Sequence, residues 1–368
     1  ADRASRPLKF EQNPQYQQTK ALKDELLAIH EQITQRWSRC LAGEAGAQAA
    51  RDYLQSRAVP AEAMETLRVG YAPDLWDDPA LLEQAGLIIK RDGSDGHYDR
   101  FRGRLIFPIC DEQGRVIGFS GRVLDPEAKT AKYVNSPETP IFTKGRVFFG
   151  LDKSKRALLD EQRAIVCEGQ LDLIRCFTSG VRNIVAPQGT ALTADHARIL
   201  KRYVEEVVLC FDADAAGQNA AERSFESLVE AGLAVRVARV PAPHDPDTFI
   251  REHGGSAFQA LIEGAPGYFD FLLDRLCAEN DPTSDRGRIV IVSGMSAALQ
   301  LARNAVLTET YVRKTALRLG VSPEAVKGEF GKSRRMERRR YDDEWADAEA
   351  AAEEEEQPSR PDTLEIWL

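Results

Sequence analysis

Four short apolar runs punctuate the middle of the chain: Ala164-Ile-Val-Cys167, Val181-Arg-Asn-Ile-Val-Ala186, Val207-Val-Leu-Cys-Phe211 and Val235-Arg-Val-Ala-Arg-Val240. Segments rich in Ala, Leu, Glu and Arg separate them. Short apolar runs alternating with helix-like stretches predict a parallel sheet with crossover helices. Upstream, Leu22, Leu26, Leu27, Ile29, Ile33 and Trp37 recur at helical spacing between Thr19 and about Leu41. Residues 47–56 and 61–67 read as shorter helices, with Pro60 near an N-terminus. All three are expected to pack over the next module. Leu105-Ile-Phe-Pro-Ile109 and Val116-Ile-Gly-Phe119 flank the turn Asp111-Glu-Gln-Gly114, a hairpin signal. Beyond Tyr268 the apolar positions are again helical, and Ser322-Pro323 predicts a corner between two helices.

The acids change this picture. Glu168-Gly169, Asp212-Ala-Asp214 and Asp245-Pro-Asp247 each follow one of the apolar runs, and Asp172 lies one helical turn after Glu168. Ligands of open α/β sheets bind outside the carboxyl ends of the strands. One predicted topology therefore gathers six carboxylates at one edge. Any single acid reads more readily as a helix cap or first-turn residue. Six together repel one another unless cations sit among them. An oxygen-only donor set suits Mg²⁺ or Mn²⁺, two or more ions, and not zinc. Such ions polarise phosphates and assist in-line displacement. His244, beside Asp245, is read as a structural neighbour without a role.

Composition adjusts the balance. The 368-residue chain is 43% hydrophobic, enough for a substantial core and two or three domains. No run approaches a membrane span, no signal peptide opens the chain, and six cysteines without CxxC pairing suggest buried thiols in a cytoplasmic protein. The chain opens on Ala1 and not Met, so a fragment or a processed chain is expected. Net charge is −9, yet residues 342–356 hold nine acids and no base, so the acidity is local. Residues 102–153 carry nine bases against six acids, interleaved with Phe119, Tyr133 and Phe142. A single-strand groove combines such bases with stacking aromatics, although a solvated strand face has the same composition.

The motifs carry a resemblance. Glu168-Gly with Asp172, Gly189-Thr190, Asp212-x-Asp214-x-x-Gly217 and Asp245-Pro-Asp247 resemble the TOPRIM domain of primases, topoisomerases and some nucleases. The stretches 98–109, 114–123, 132–139 and 142–146 resemble the polymerase core of DnaG-type bacterial primases, and the similarity runs from about Tyr53 to about Phe330. The resemblance implies an α/β chain in three parts. These are a basic α+β N-terminal subdomain over 19–155, a Rossmann-like parallel-sheet TOPRIM domain over 156–262 and a helical subdomain over 263–331. Residues 1–18 are expected as a tail or linker and 332–368 as a charged, disordered tail.

By the same resemblance, Glu168, Asp212 and Asp214 are catalytic and hold the metal with Asp172, Asp245 and Asp247. Arg122, Lys132, Tyr133, Asn135 and Lys144 match template- and nucleotide-binding positions, and Arg102 and Arg104 flank the same cleft. Two departures stand out: Gln170 replaces a common aromatic, and Gln188 replaces a usual Leu. Neither the zinc ribbon that precedes the core nor the helicase-binding domain that follows it is recognisable, so weak isolated activity is expected.

The leading expectation is a DNA primase core making RNA primers on single-stranded DNA from ribonucleoside triphosphates. Replicative helicase and single-strand-binding protein are partners by resemblance, through regions outside this chain. A TOPRIM nuclease, with water as attacker, is the alternative. A non-catalytic single-strand-binding or helicase-regulating module is a third reading, against which the retained acids speak.

Overall fold

The computed structural model describes residues 14–73, 79–91, 93, 96–125, 127–189, 191–211 and 215–331. Residues through Pro266 form one compact unit and those from Gly267 a second.

The first unit opens with α1 (Pro14–Gly43), α2 (Gln48–Ser56) and α3 (Ala61–Thr66). The helix begins inside the stretch expected as a tail, so that expectation is corrected over residues 14–18. β1 (Gly70–Ala72), α4 (Pro79–Gln84), β2 (Ile88–Lys90) and β3 (His97–Asp99) follow. The expected hairpin is β4 (Arg104–Cys110) and β5 (Val116–Val123), and β6 (Tyr133–Asn135) extends it. The resulting antiparallel sheet has the order β1-β4-β5-β6.

Register decides what each face of this sheet meets. Leu105 pairs with Arg122 and Arg122 with Tyr133, while Phe107 pairs with Ser120 and Ser120 with Asn135. Directly opposed residues share a face, and side chains alternate along a strand. Leu105 and Phe107 accordingly join the core that also contains Ile165, Ile174 and Val208 of the parallel sheet and its helices. The other face carries Ile106 and Phe119, which pack on Leu26, Ile33 and Trp37 of α1. There the buried His30 ring stacks on Phe119 at 5.2 Å, and burial pushes its pKa down to about 4.

β7 (Phe148–Phe149) and α5 (Leu151–Glu161) lead into the parallel sheet. β8 (Arg163–Val166), α6 (Gln170–Thr178), β9 (Ile184–Pro187), α7 (Ala194–Lys201), β10 (Glu206–Phe211), α8 (Ala215–Glu230) and β11 (Ala234–Arg239) then alternate as the apolar pattern predicts. The sheet order is β11-β10-β8-β9-β7, parallel except for the edge pairing of β7 with β9. A boundary at 155/156 therefore falls inside α5, and β7 already belongs to the parallel sheet. α9 (Pro246–Glu263) closes the unit.

The second unit is helical: α10 (Tyr268–Glu279), α11 (Asp285–Ala302), α12 (Ala305–Leu319) and a further helical segment over 323–331. The expected corner is present, with Gly320 left-handed after α12 and the Ser322 hydroxyl accepting from Ala325 N–H at 3.2 Å. The basic and acidic blocks after 331 lie outside the described residues.

Candidate active site

The strand order reverses between β8 and its parallel neighbour β10. From β8 the chain crosses through α6 to β9 on one side; from β10 it crosses through α8 to β11 on the other. Crossovers that diverge from adjacent strands leave a crevice at their carboxyl ends, where ligands of such sheets bind. Glu168 follows β8 at this crevice and is exposed. Asp212 and Asp214 lie outside the described residues; the strand before them ends at Phe211, and the helix after them begins at Ala215. Thr190 is outside as well. Gly217 falls within α8 and not in a loop.

Asp172 lies in the first turn of α6 and folds back over the turn that carries Glu168. A side chain at Gly169 would bring its Cβ to 2.8 Å from Asp172 Oδ2, so the Asp172 carboxylate closes directly on this turn. Asp245 caps α9: its Oδ1 accepts from Thr248 N–H at 2.7 Å and from the Thr248 hydroxyl at 2.6 Å. Burial pushes the Asp245 carboxyl up, but the hydrogen bonds from Thr248 outweigh it and hold the group below its ordinary value. The capping role that the sequence leaves open for any one acid is thus real for Asp245. The donor set is carboxylate oxygen at the mouth of a crevice, which fits a hard divalent cation.

Asp247 is in a different situation. It is 3% exposed, with Oδ2 at 2.8 Å from Arg57 Nη1 and Oδ1 at 2.7 Å from Arg175 Nε. Arg175 also donates to the Arg57 carbonyl. Both carboxylate oxygens serve guanidinium groups, so the expected metal ligand is engaged as an anchor joining α9, α6 and the end of α2. Neither arginine is singled out by the sequence pattern, because the partners lie 190 and 72 residues away.

The basic block divides in the same way. Ser120, Arg122, Tyr133 and Asn135 share the face directed at the parallel sheet. Gln170, the first residue of α6, donates to the Ser120 hydroxyl at 3.2 Å and to Gln188 Oε1 at 3.2 Å. Asn135 donates to the Gln188 carbonyl at 3.3 Å, and Gly189 turns beside it with φ +69°. The two departures from the family pattern are therefore one feature, a buried pair of amides clasping β5 and β6 to the carboxyl ends of β8 and β9.

Arg122 donates to the Tyr133 hydroxyl at 2.9 Å, and its guanidinium lies 4.8 Å from the Tyr53 ring and 5.3 Å from the Tyr133 ring. Burial pushes the Tyr133 phenol up against the pull of Arg122, and the charge of Asp172 adds a smaller upward push. Asp172 thus lies within electrostatic reach of the basic face. Tyr53, which the sequence marks only as the start of the resemblance, completes the stack.

Lys132 is exposed at the edge, Lys144 is half-buried in a short helical turn, and Arg102 is exposed with its guanidinium 4.9 Å from the Tyr98 ring. Arg104 does not flank the cleft. It is 7% exposed and donates to the Gly121 and Ala131 carbonyls at 3.2 and 3.1 Å. Strand alternation explains the correction: Arg104 precedes Leu105, the partner of Arg122, and so faces the opposite side.

Residues 37–155 match the N-terminal domain of the DNA primase catalytic core, and residues 165–250 match a Toprim-like domain. The DNA primase of Synechococcus elongatus is 35% identical over 333 residues, covering 85% of this chain and 48% of that protein. A primase domain from Pseudomonas aeruginosa superposes with a TM-score of 0.75 at 31% identity, covering 83% of this chain and 99% of that one. A DnaG primase catalytic domain bound to single-stranded DNA gives 0.73 at 32% identity, covering 83% and 99%. The chain spans about half the length of the curated relatives it matches. A Toprim domain implies divalent-metal binding. No described helix is long and apolar enough to cross a membrane. The basic antiparallel sheet, the acid-edged parallel sheet and these matches together make the chain a member of the DnaG-type bacterial primase family, comprising its catalytic core with a TOPRIM domain.

Proposed function

We propose that the chain is a DNA-dependent RNA polymerase core that extends short RNA primers on single-stranded DNA during replication. The observation that carries this reading is the clasp through Gln170, Gln188, Ser120 and Asn135. It sets a basic, aromatic strand face directly against the turn bearing Glu168. A template strand and a nucleotide triphosphate both need cationic and stacking partners beside a carboxylate edge. Mg²⁺ or Mn²⁺, when bound by Glu168, Asp172, Asp212, Asp214 and Asp245, supplies Lewis-acid polarisation of the triphosphate. The chain's own residues orient the reactants. Arg122 and Tyr133 form the wall of the cleft, and Lys132 and Lys144 meet backbone or triphosphate charge. Helicase and single-strand-binding protein are partners of the larger assembly in the cytoplasm.

Ribonucleotide incorporation on single-stranded DNA, with Mg²⁺ or Mn²⁺, tests this. RNA products from the wild type that vanish in Asp212→Ala are the expected result. Metal-dependent degradation of the DNA without RNA would instead assign the acid edge to a nuclease, the second reading compatible with the same carboxylates.

A further inference from the structure

The chain holds a second group of potential metal ligands, unlike the acid edge in chemistry. His244 precedes the α9 cap, while Glu252 and His253 occupy the turn of α9 that ends where the helix breaks at Gly254 (φ 83°, ψ 166°). Their ligand atoms all lie within 4.8 Å of one another, with His244 Nε2 at 3.9 Å from a Glu252 carboxylate oxygen. The two imidazoles are held by a common neighbour: Phe249 lies 6.1 Å from the His244 ring and 4.8 Å from the His253 ring. The imidazoles themselves are 5.6 Å apart and nearly perpendicular. The bonds between Asp245 and Thr248 fix the turn that joins His244 to the helix.

We propose that His244, Glu252 and His253 form a separate site for a borderline transition metal, Zn²⁺ being the representative ion. Two neutral imidazole nitrogens and one carboxylate form a donor set that favours Zn²⁺, Co²⁺ or Ni²⁺ over Mg²⁺. Bonds of about 2.0–2.1 Å in tetrahedral geometry bring ligand atoms to roughly 3.4 Å from one another. Glu252 and His253 are exposed and close the remaining gap by side-chain rotation. Solvent fills the fourth position. The last turn of a helical segment also favours positive charge. An ion bound here ties the segment leading into Asp245 to the first two turns of α9. Aromatic contact alone accounts for the placing of both imidazoles beside Phe249, one edge-on and one tilted, but not for the approach of Glu252 to His244.

The test is Zn²⁺ titration by calorimetry on the whole chain under saturating Mg²⁺, so that the acid edge is already occupied. Co²⁺ substitution supplies a visible spectrum. His253→Ala and Glu252→Gln are the variants, both at exposed positions, with circular dichroism as the check on folding. The expected result is one Zn²⁺ per chain, weakened about tenfold or more in each variant. The Co²⁺ spectrum should show no thiolate charge-transfer band. The proposal is overturned if Zn²⁺ does not bind, if both variants bind as the wild type does, if Mg²⁺ displaces the ion, or if a thiolate band assigns it to cysteine.

Discussion

The acid edge of the parallel sheet and the basic face of the antiparallel sheet meet at one cleft, yet they are built on different logic. At the acid edge, position along the chain nearly determines position in space. Glu168 directly follows β8, and parallel strands deliver their carboxyl ends to one side. On the basic sheet, position along the chain says little until register is known, because one residue of displacement sends a side chain to the opposite face. Arg122 and Arg104 illustrate this: one is stacked between two tyrosines at the cleft, the other is buried against backbone carbonyls.

Glu168→Ala should lower primer extension by about a hundredfold or more, the scale seen when a charge-stabilising group is lost. The melting temperature should be unchanged, since Glu168 is exposed. A small kinetic effect would remove Glu168 from the reacting centre.

Asp247 tests whether all acids at the edge do the same work. Asp247→Asn leaves two arginines without a counter-charge and should destabilise the chain by about 3 kcal/mol in denaturant unfolding. Cation affinity at the edge, measured by calorimetry under folding conditions, should be retained. A loss of cation binding without loss of stability would restore Asp247 as a ligand.

A smaller contrast separates two bases of the antiparallel sheet. Arg104→Ala should cost about 2 kcal/mol of stability through unsatisfied buried carbonyls, with little change in DNA affinity per folded molecule. Lys132→Ala should leave stability unchanged and reduce the salt dependence of single-strand binding by about one counterion. Reversal of these outcomes would mean that the strand register differs from the one described.

The smallest effect belongs to the amide clasp. A double-mutant cycle with Gln170→Ala and Gln188→Ala should give a coupling of about 1 kcal/mol. Strict additivity would show the 3.2 Å contact to be energetically inert.

Much of the parallel sheet was legible because it follows local rules. β8 to β11 coincide with the four apolar runs to within a few residues, since buried parallel strands are continuous hydrophobic stretches. The hairpin followed from its turn chemistry, and the corner near Ser322 from its cap. The expected tail gives way to helix over residues 14–18, because α1 starts at Pro14 without the apolar stripe that marks its later turns. Gln170 and Gln188 stood out as two separate oddities; only their contact makes them a pair.

By itself, the sequence determined the order of elements and which strand ends carry acid, because hydrophobic periodicity and strand direction are properties of neighbouring residues. Tertiary structure alone decided which charge is used for what. Asp247 became an anchor because Arg57 and Arg175 arrive from distant segments, and a buried carboxylate is stable only when paired. Arg104 became a brace because β4 pairs with β5 in one register and not the next. Burial and pairing are set by long-range contacts, which no local pattern encodes.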